Sequence, residues 1–134
     1  MTSKPDRDLS KREVAYLRRV SRSGRVGIRL SALARELSVA PPSALEEVRH
    51  LEAKGLLRNT GGRITLTKEG RRMTEAIRKT HLSFETVLTR LGVPIQEACR
   101  SIHDFDFAVP QELADRVYEA IGRPDRCPKG ELEC

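Results

Sequence analysis

Apolar residues recur at helical spacing in several separate stretches of the chain. Val14, Leu17 and Val20 predict a first helix that ends near residue 22. Two shorter periodic segments follow within residues 31–54, and the turn 38–40 separates them. Two short helices joined by a tight turn are typical of a helix-turn-helix.

The second helix of this pair begins with Pro41 and Pro42, whose fixed φ suits the first turn of a helix. Gly55 is placed to end it as a C-cap. Its first residues are small, so the end of the helix can approach the major groove of DNA closely, and Ser43 can donate a hydrogen bond to a phosphate or a base edge.

A β-hairpin is predicted directly after this helix, because two β-prone segments flank the sequence Asn59-Thr60-Gly61-Gly62. A hairpin in this place is typical of the wing of a winged helix. Glu46 is included among the residues of the DNA-facing surface, although its charge and that of Glu47 oppose DNA. The complete candidate set for DNA contact is Pro41, Pro42, Ser43, Glu46, Arg49, Arg58 and Arg63.

The second half of the chain is predicted to be helical, apart from its tail. A long helix is predicted over about 67–90, a shorter one over about 94–103 and a last one over about 110–121, with an irregular tail. The predicted fold class is therefore mainly α. We expect a winged helix-turn-helix domain over residues 1–72 and an all-helical dimerisation and metal-binding domain over residues 73–134.

Charge is unevenly distributed over the 134 residues. The net charge is +6 and the pI about 9.6, and most Lys and Arg lie before residue 80 whereas residues 97–134 lean acidic. This distribution favours double-stranded DNA as the partner of the first half. No apolar run is long enough for a membrane span and no signal peptide is evident, so we expect a cytoplasmic protein without a membrane partner.

Two pairs of metal-ligating side chains occur in the second half, each with a spacing of four residues. His81 and Glu85 form the first pair, and Cys99 and His103 form the second. Residues four apart share one face of a helix, so two packed helices can present four ligands to one point. Imidazole, thiolate and carboxylate suit Fe(II), Mn(II), Co(II), Ni(II) or Zn(II).

Each pair also has an ordinary structural interpretation. A His-x-x-x-Glu pair on a polar helix is usually solvated surface, and a cysteine among apolar neighbours is usually a buried core thiol. The other two cysteines, Cys127 and Cys134, would be thiols or ligands in a reducing cytosol. The sequence carries no nucleophile–base pair and no phosphate-binding loop, so no enzyme is expected.

The order of these motifs resembles the diphtheria-toxin-repressor family of metal-dependent transcriptional regulators. The resemblance covers about residues 9–130. It is carried by three stretches, 39–56, 66–81 and 97–103, and the tail Cys127-Pro128-Lys129-Gly130 is also similar to the family. It implies a homodimer on a palindromic operator, in which metal binding favours the DNA-competent arrangement and often represses metal uptake. It also implies that His81, Glu85, Cys99 and His103 are metal ligands.

Three positions depart from the family pattern. Ala15, Ile102 and Ile95 stand where family members carry further ligands. We therefore expect a single site, completed by Asp104, Asp106, Cys127, Cys134 or water, and no sequence remains for the SH3-like domain of longer members. Because a thiolate makes the site softer than an all-carboxylate site, the choice leans from Mn(II) towards Fe(II), with Co(II), Ni(II) and Zn(II) also possible.

The leading hypothesis is a metal-dependent repressor of metal-homeostasis genes. A second hypothesis keeps DNA binding but makes the cysteines sensors of oxidants. A third is a metal-binding interaction module that does not bind DNA. The sequence leaves open the metal, the operator, the target genes and whether regulation is negative or positive.

Overall fold

Residues 8–128, which the computed structural model describes, form a mainly helical fold with one three-stranded antiparallel sheet. This confirms the predicted mainly α class and its small β component. The helices are α1 (Lys11–Arg22), α2 (Leu30–Glu36), α3 (Pro41–Ala53), α4 (Lys68–Arg90), α5 (Ile95–Ile102) and α6 (Gln111–Ala120), and the strands are β1 (Ile28–Arg29), β2 (Leu57–Thr60) and β3 (Arg63–Leu66). The chain divides into two compact units at residues 74 and 75.

In the first unit, α1 begins with a capping box. The hydroxyl of Ser10 accepts a hydrogen bond from the backbone N–H of Glu13, whose carboxylate accepts one from the N–H of Ser10. Val14, Leu17 and Val20 are buried, as their helical spacing predicts.

The two helices predicted within residues 31–54 are α2 and α3, and the turn between them contains Ser38 in a left-handed conformation (φ 57°). Pro41 and Pro42 occupy the first two positions of α3. Ala44, Val48 and Leu51 form the buried face of α3. The opposite face, with Pro42, Glu46 and Arg49, is exposed.

The predicted hairpin is formed by β2 and β3, with Arg58 paired to Thr65 and Thr60 paired to Arg63. Gly61 and Gly62 make the turn with positive φ, and the N–H of Gly62 donates to the side-chain oxygen of Asn59. Strand β1 pairs with the other edge of β3, so the strand order is β1-β3-β2.

Thr67 connects the hairpin to α4. Its hydroxyl donates to the carbonyl of Gly55 and accepts a hydrogen bond from the N–H of Gly70, which caps the helix. At Gly70 there is no room for a side chain, because a Cβ would overlap the carbonyl oxygen of Leu56.

The second unit contains the rest of α4 with α5 and α6. Its buried apolar side chains include Ile77, Leu82, Ala98, Ile102 and Ala114. The segment 123–128 is irregular, as predicted, and a guanidinium N–H of Arg78 donates to the carbonyl of Asp125 within it. Cys127 is buried in this segment, whereas Cys134 lies outside the described residues.

Among residues 8–128, no helix combines the length and the apolar character needed to cross a membrane.

Candidate metal centre

Helix α4 brings His81 and Glu85 to one buried face. The two residues are one helical turn apart, and His81 is 5% exposed while Glu85 is fully buried. Nε2 of His81 lies 3.3 Å from Oε2 of Glu85. This pair is therefore not the solvated surface that its sequence pattern most often indicates.

Helix α5 supplies Cys99, and His103 is the C-cap residue of the same helix. Both side chains are half-buried. Sγ of Cys99 lies 3.7 Å from Nε2 of His81, and the His81 and His103 rings have centroids 4.5 Å apart. Pro94 is the N-cap residue of α5, and the residues after His103 form turns.

One donor atom from each of His81, Cys99 and His103 lies within 4.8 Å of the other two, so these residues could hold a metal ion. Bond lengths of about 2.0–2.1 Å to N or O and about 2.3 Å to S place tetrahedral ligand atoms about 3.4–3.6 Å apart. The separations of 3.3 Å from Glu85 and 3.7 Å from Cys99 to His81 agree with that requirement. The donor set fits a borderline divalent ion.

A further carboxylate, that of Asp106, lies behind His81. Asp106 is fully buried, and its Oδ2 atom lies 3.0 Å from Nδ1 of His81 and 4.0 Å from Nδ1 of His103. Sequence reasoning included Asp106 only as one of several residues that could complete the site. Its position three residues after His103 gave no sign that it would face the opposite edge of the His81 ring from Glu85.

The thiol, two imidazoles and two buried carboxylates make this cluster electronegative, which favours a cation. Burying a carboxylate without a polar partner is costly, and the imidazole of His81 is such a partner for both Glu85 and Asp106.

The positions that depart from the family pattern differ in their surroundings. Ile102 is fully buried and belongs to the apolar core, so its side chain serves packing. Ala15 is exposed on α1, and Ile95 is half-buried in the first turn of α5. Asp104 is exposed, and it lines a shallow depression with Glu97, Arg100 and Ser101.

The candidate DNA-contacting residues lie on α3 and the hairpin. Every one of them on α3 is exposed: Pro41, Pro42, Ser43, Glu46 and Arg49. Arg58 is exposed on β2, whereas Arg63 on β3 is half-buried and donates to the carbonyl of Val26. Arg58 also lines a cleft of about 510 Å³ with Arg25 and Arg71, a basic grouping that the separated sequence positions did not indicate.

Comparison with known proteins identifies the second half of the chain. Residues 67–134 match the family model described as iron dependent repressor, metal binding and dimerisation domain. A search of curated proteins returned no significant match.

Solved structures align over nearly the whole chain. A hypothetical protein from Sulfolobus solfataricus is 35% identical, with a TM-score of 0.81 over 94% of this chain and 100% of that one. IdeR from T. acidophilum is 25% identical, with a TM-score of 0.67 over 93% of this chain. A manganese-dependent transcriptional repressor in complex with manganese is 27% identical, with a TM-score of 0.70 over 87% of this chain.

This chain spans 59% of the IdeR chain and 55% of the manganese-dependent repressor chain. The family model covers half of the chain, and the structural matches extend the similarity to the first unit. The chain belongs to the diphtheria-toxin-repressor family of metal-dependent regulators, which its sequence motifs resemble.

Proposed function

We propose that this protein is a metal-dependent, DNA-binding transcriptional regulator that represses metal-homeostasis genes as a homodimer on a palindromic operator. The observation that supports this most is the clustering of donor atoms from His81, Cys99 and His103 within 4.8 Å of one another, with the buried carboxylate of Glu85 3.3 Å from His81. Neither sequence pair alone distinguishes a metal site from surface or core, but their proximity in the structure and the family's metal-binding domain both support a metal site.

The DNA-binding part is the winged helix-turn-helix formed by α2, α3 and the β2–β3 hairpin, in the domain that we assign to residues 1–72. Helix α3 enters the major groove with its first turn, where Pro41, Pro42 and Ser43 leave the backbone accessible. Arg49 on α3 and Arg58 and Arg63 on the hairpin contact phosphates. Glu46 shares the exposed face of α3, and its negative charge weakens the contact with the phosphates.

The metal-binding part is the domain that we assign to residues 73–134. His81, Glu85, Cys99 and His103 hold a divalent ion there. A thiolate with imidazoles favours Fe(II) over Mn(II), and Co(II), Ni(II) and Zn(II) have the same preference for nitrogen and sulfur. The ion supplies a cross-link between α4 and α5, because two ligands come from each segment.

The coupling between metal and DNA is a shift of population. His81 and Glu85 lie on α4, the helix that directly follows the hairpin, so fixing α4 against α5 favours one placement of the preceding elements. The metal ion changes the DNA affinity only as far as it binds that placement more tightly than others. Such coupling free energies are typically about 1–3 kcal/mol, or about 5–150-fold in affinity.

A binding titration tests the proposal. Duplexes selected from a random-sequence library with cobalt-loaded protein are labelled, and anisotropy is followed as Fe(II), Mn(II), Co(II), Ni(II) or Zn(II) is added to apo-protein without oxygen. We expect at least one ion to raise the affinity roughly 5–150-fold. His81→Ala and Cys99→Ala should abolish the response, whereas the exposed His50→Ala should preserve it.

Affinity for DNA that ignores every divalent ion would defeat the proposal. If peroxide changed the affinity and a chelator did not, the cysteines would instead be redox sensors. Failure of all duplexes to bind at low salt would leave a metal-binding interaction module.

A further inference from the structure

The buried carboxylate of Asp106 is held in place from two sides. Its backbone N–H donates to the carbonyl of Ile102 at 2.8 Å, which fixes the residue one turn beyond the end of α5. Its Oδ2 atom lies 3.0 Å from Nδ1 of His81. Since the side chain is fully buried, the imidazole replaces the water that would otherwise solvate the charge.

The two ring nitrogens of His81 face different partners. Nδ1 faces Asp106, while Nε2 faces Cys99 Sγ at 3.7 Å and Glu85 Oε2 at 3.3 Å. A neutral imidazole carries one N–H and one lone pair. Buried carboxylates face both nitrogens, but Asp106 at 3.0 Å from Nδ1 is closer than Glu85 at 3.3 Å from Nε2, which favours the N–H at Nδ1 and the lone pair at Nε2.

We propose that Asp106 is a positioning residue of the metal site: its carboxylate accepts the Nδ1–H of His81, fixing the tautomer and the ring rotation that present Nε2 to the ion. This inference rests on the proposed metal-dependent function. Carboxylates that accept the second N–H of a ligating histidine orient the ring and raise its basicity, and their loss typically weakens metal binding 10–100-fold.

Asp106 acts through His81 and is not itself a ligand of the same ion. The in-plane bonding directions of the two ring nitrogens diverge, so an ion at Nε2 is held away from the oxygen that bonds to Nδ1. The distance of 4.0 Å from Oδ2 of Asp106 to Nδ1 of His103 is longer than that to Nδ1 of His81, so His81 is the nearer imidazole partner of this oxygen.

Substitution of Asp106 tests the assignment, with Asp104→Ala as the matched control because Asp104 is an exposed aspartate in the same connector. Co(II) and Zn(II) affinities are measured by competition with a chelator in the full chain. Asp106→Ala should weaken both about 10–100-fold. Asp106→Asn keeps the shape and an acceptor oxygen but loses the charge, so a smaller loss is expected. Asp104→Ala should bind as the unmodified protein does.

Nitrogen-15 NMR of the histidine rings separates this role from a merely structural one. At mildly alkaline pH, apo-protein should show His81 with its proton on Nδ1, and Asp106→Ala should lose that signature while its circular dichroism is unchanged. If Asp106→Ala does not fold, Asp106→Asn serves for both measurements, with a weakened Nδ1–H signal expected.

Three results would overturn the assignment: a proton on Nε2 in unmodified apo-protein, undiminished metal affinity in both variants, or X-ray absorption showing that Asp106→Ala removes an oxygen from the metal. Unmodified protein that binds neither Co(II) nor Zn(II) would defeat the proposed function. In that case the NMR result would still decide whether Asp106 sets the His81 tautomer.

Discussion

Sγ of Cys99 lies 3.7 Å from Nε2 of His81, although 18 residues separate them in the chain. One atom belongs to α5 and the other to α4, so the contact depends on the packing of two helices. A thiol beside an imidazole nitrogen is a donor pair for a borderline or soft metal ion, and it is the feature that sets this site apart from one made of carboxylates alone.

Cobalt loading gives a direct test of the thiolate. We expect Co(II)-loaded protein to show intense thiolate-to-cobalt charge-transfer absorption, and Cys99→Ser to lose it and to weaken Co(II) binding by more than about tenfold, or about 1.4 kcal/mol. The absorption is measured during anaerobic titration of the apo-protein.

Cys127→Ser is the matched control, since Cys127 is the other cysteine among the described residues. It should retain the absorption. Loss of the band in Cys127→Ser and its persistence in Cys99→Ser would mean that Cys127, and not Cys99, supplies the thiolate ligand.

Glu46 and Arg49 lie three residues apart on the exposed face of α3 and carry opposite charges. If this face meets DNA, Arg49→Ala should weaken binding and lower the slope of log affinity against log salt by about 1, because one phosphate contact is lost. Glu46→Gln should strengthen binding, because it removes charge that repels the phosphates. Both effects are read from anisotropy titrations at several salt concentrations.

Arg12→Ala on α1 serves as the charge-matched control for Arg49→Ala and should change the affinity less. A decrease in affinity for Glu46→Gln that is confined to certain sequences would mean that Glu46 reads a base, because carboxylates accept hydrogen bonds from cytosine.

The helical pattern predicted the elements well because local signals agree with the buried positions. Val14, Leu17 and Val20 are spaced for one helix face and are buried together. Pro41 and Pro42 begin α3, and the two glycines at 61 and 62 turn the hairpin. In each case the residue type fixes the backbone locally, so no knowledge of tertiary contacts is needed.

Features that depend on tertiary contacts were not predictable. Gly70 is required by the nearby carbonyl of Leu56, and the helix pattern gave no sign of this. Ser38 adopts positive φ without being glycine, so residue type did not reveal it. For the metal site, spacing predicted which residues share a helix face. It did not reveal that Asp106 would lie behind His81, since that placement depends on the connector after α5.

Large apolar side chains remain exposed on the second unit, including Leu91 and Leu113. The matching family domain is described as a dimerisation domain, and exposed leucines are apolar groups that a dimer contact can bury. We expect Leu113→Glu to shift the homodimer towards monomer in sedimentation equilibrium. Val26→Glu changes an equally apolar, exposed residue of the first unit and should leave the dimer intact. The reverse result would place the dimer contact in the first unit.

Glu13 joins α1 to the end of α3. Its Oε2 atom lies 2.7 Å from Nζ of Lys54 and 3.4 Å from Nε2 of His50, and its carboxylate also accepts the N–H of Ser10. Burial raises the pKa of Glu13. The hydrogen bond and charge of Lys54 and the hydrogen bonds from Ser10 outweigh this effect, and they hold the pKa below its usual value of 4.5.

This lowered pKa makes the stability of the first unit depend on pH. A carboxylate whose pKa is lower in the folded state stabilises the fold above the unfolded pKa, and this contribution is lost as the pH falls below 4.5 through the lowered value.

Glu13→Gln should lower the free energy of unfolding by roughly 1.5–3 kcal/mol at neutral pH, because it loses charge-assisted hydrogen bonds. In urea titrations, the difference from the unmodified protein should shrink towards acid pH. Glu69→Gln, which removes an exposed carboxylate paired with Arg72, should show little difference at any pH. A Glu13→Gln deficit that stays constant with pH would mean that packing, and not charge, makes Glu13 important.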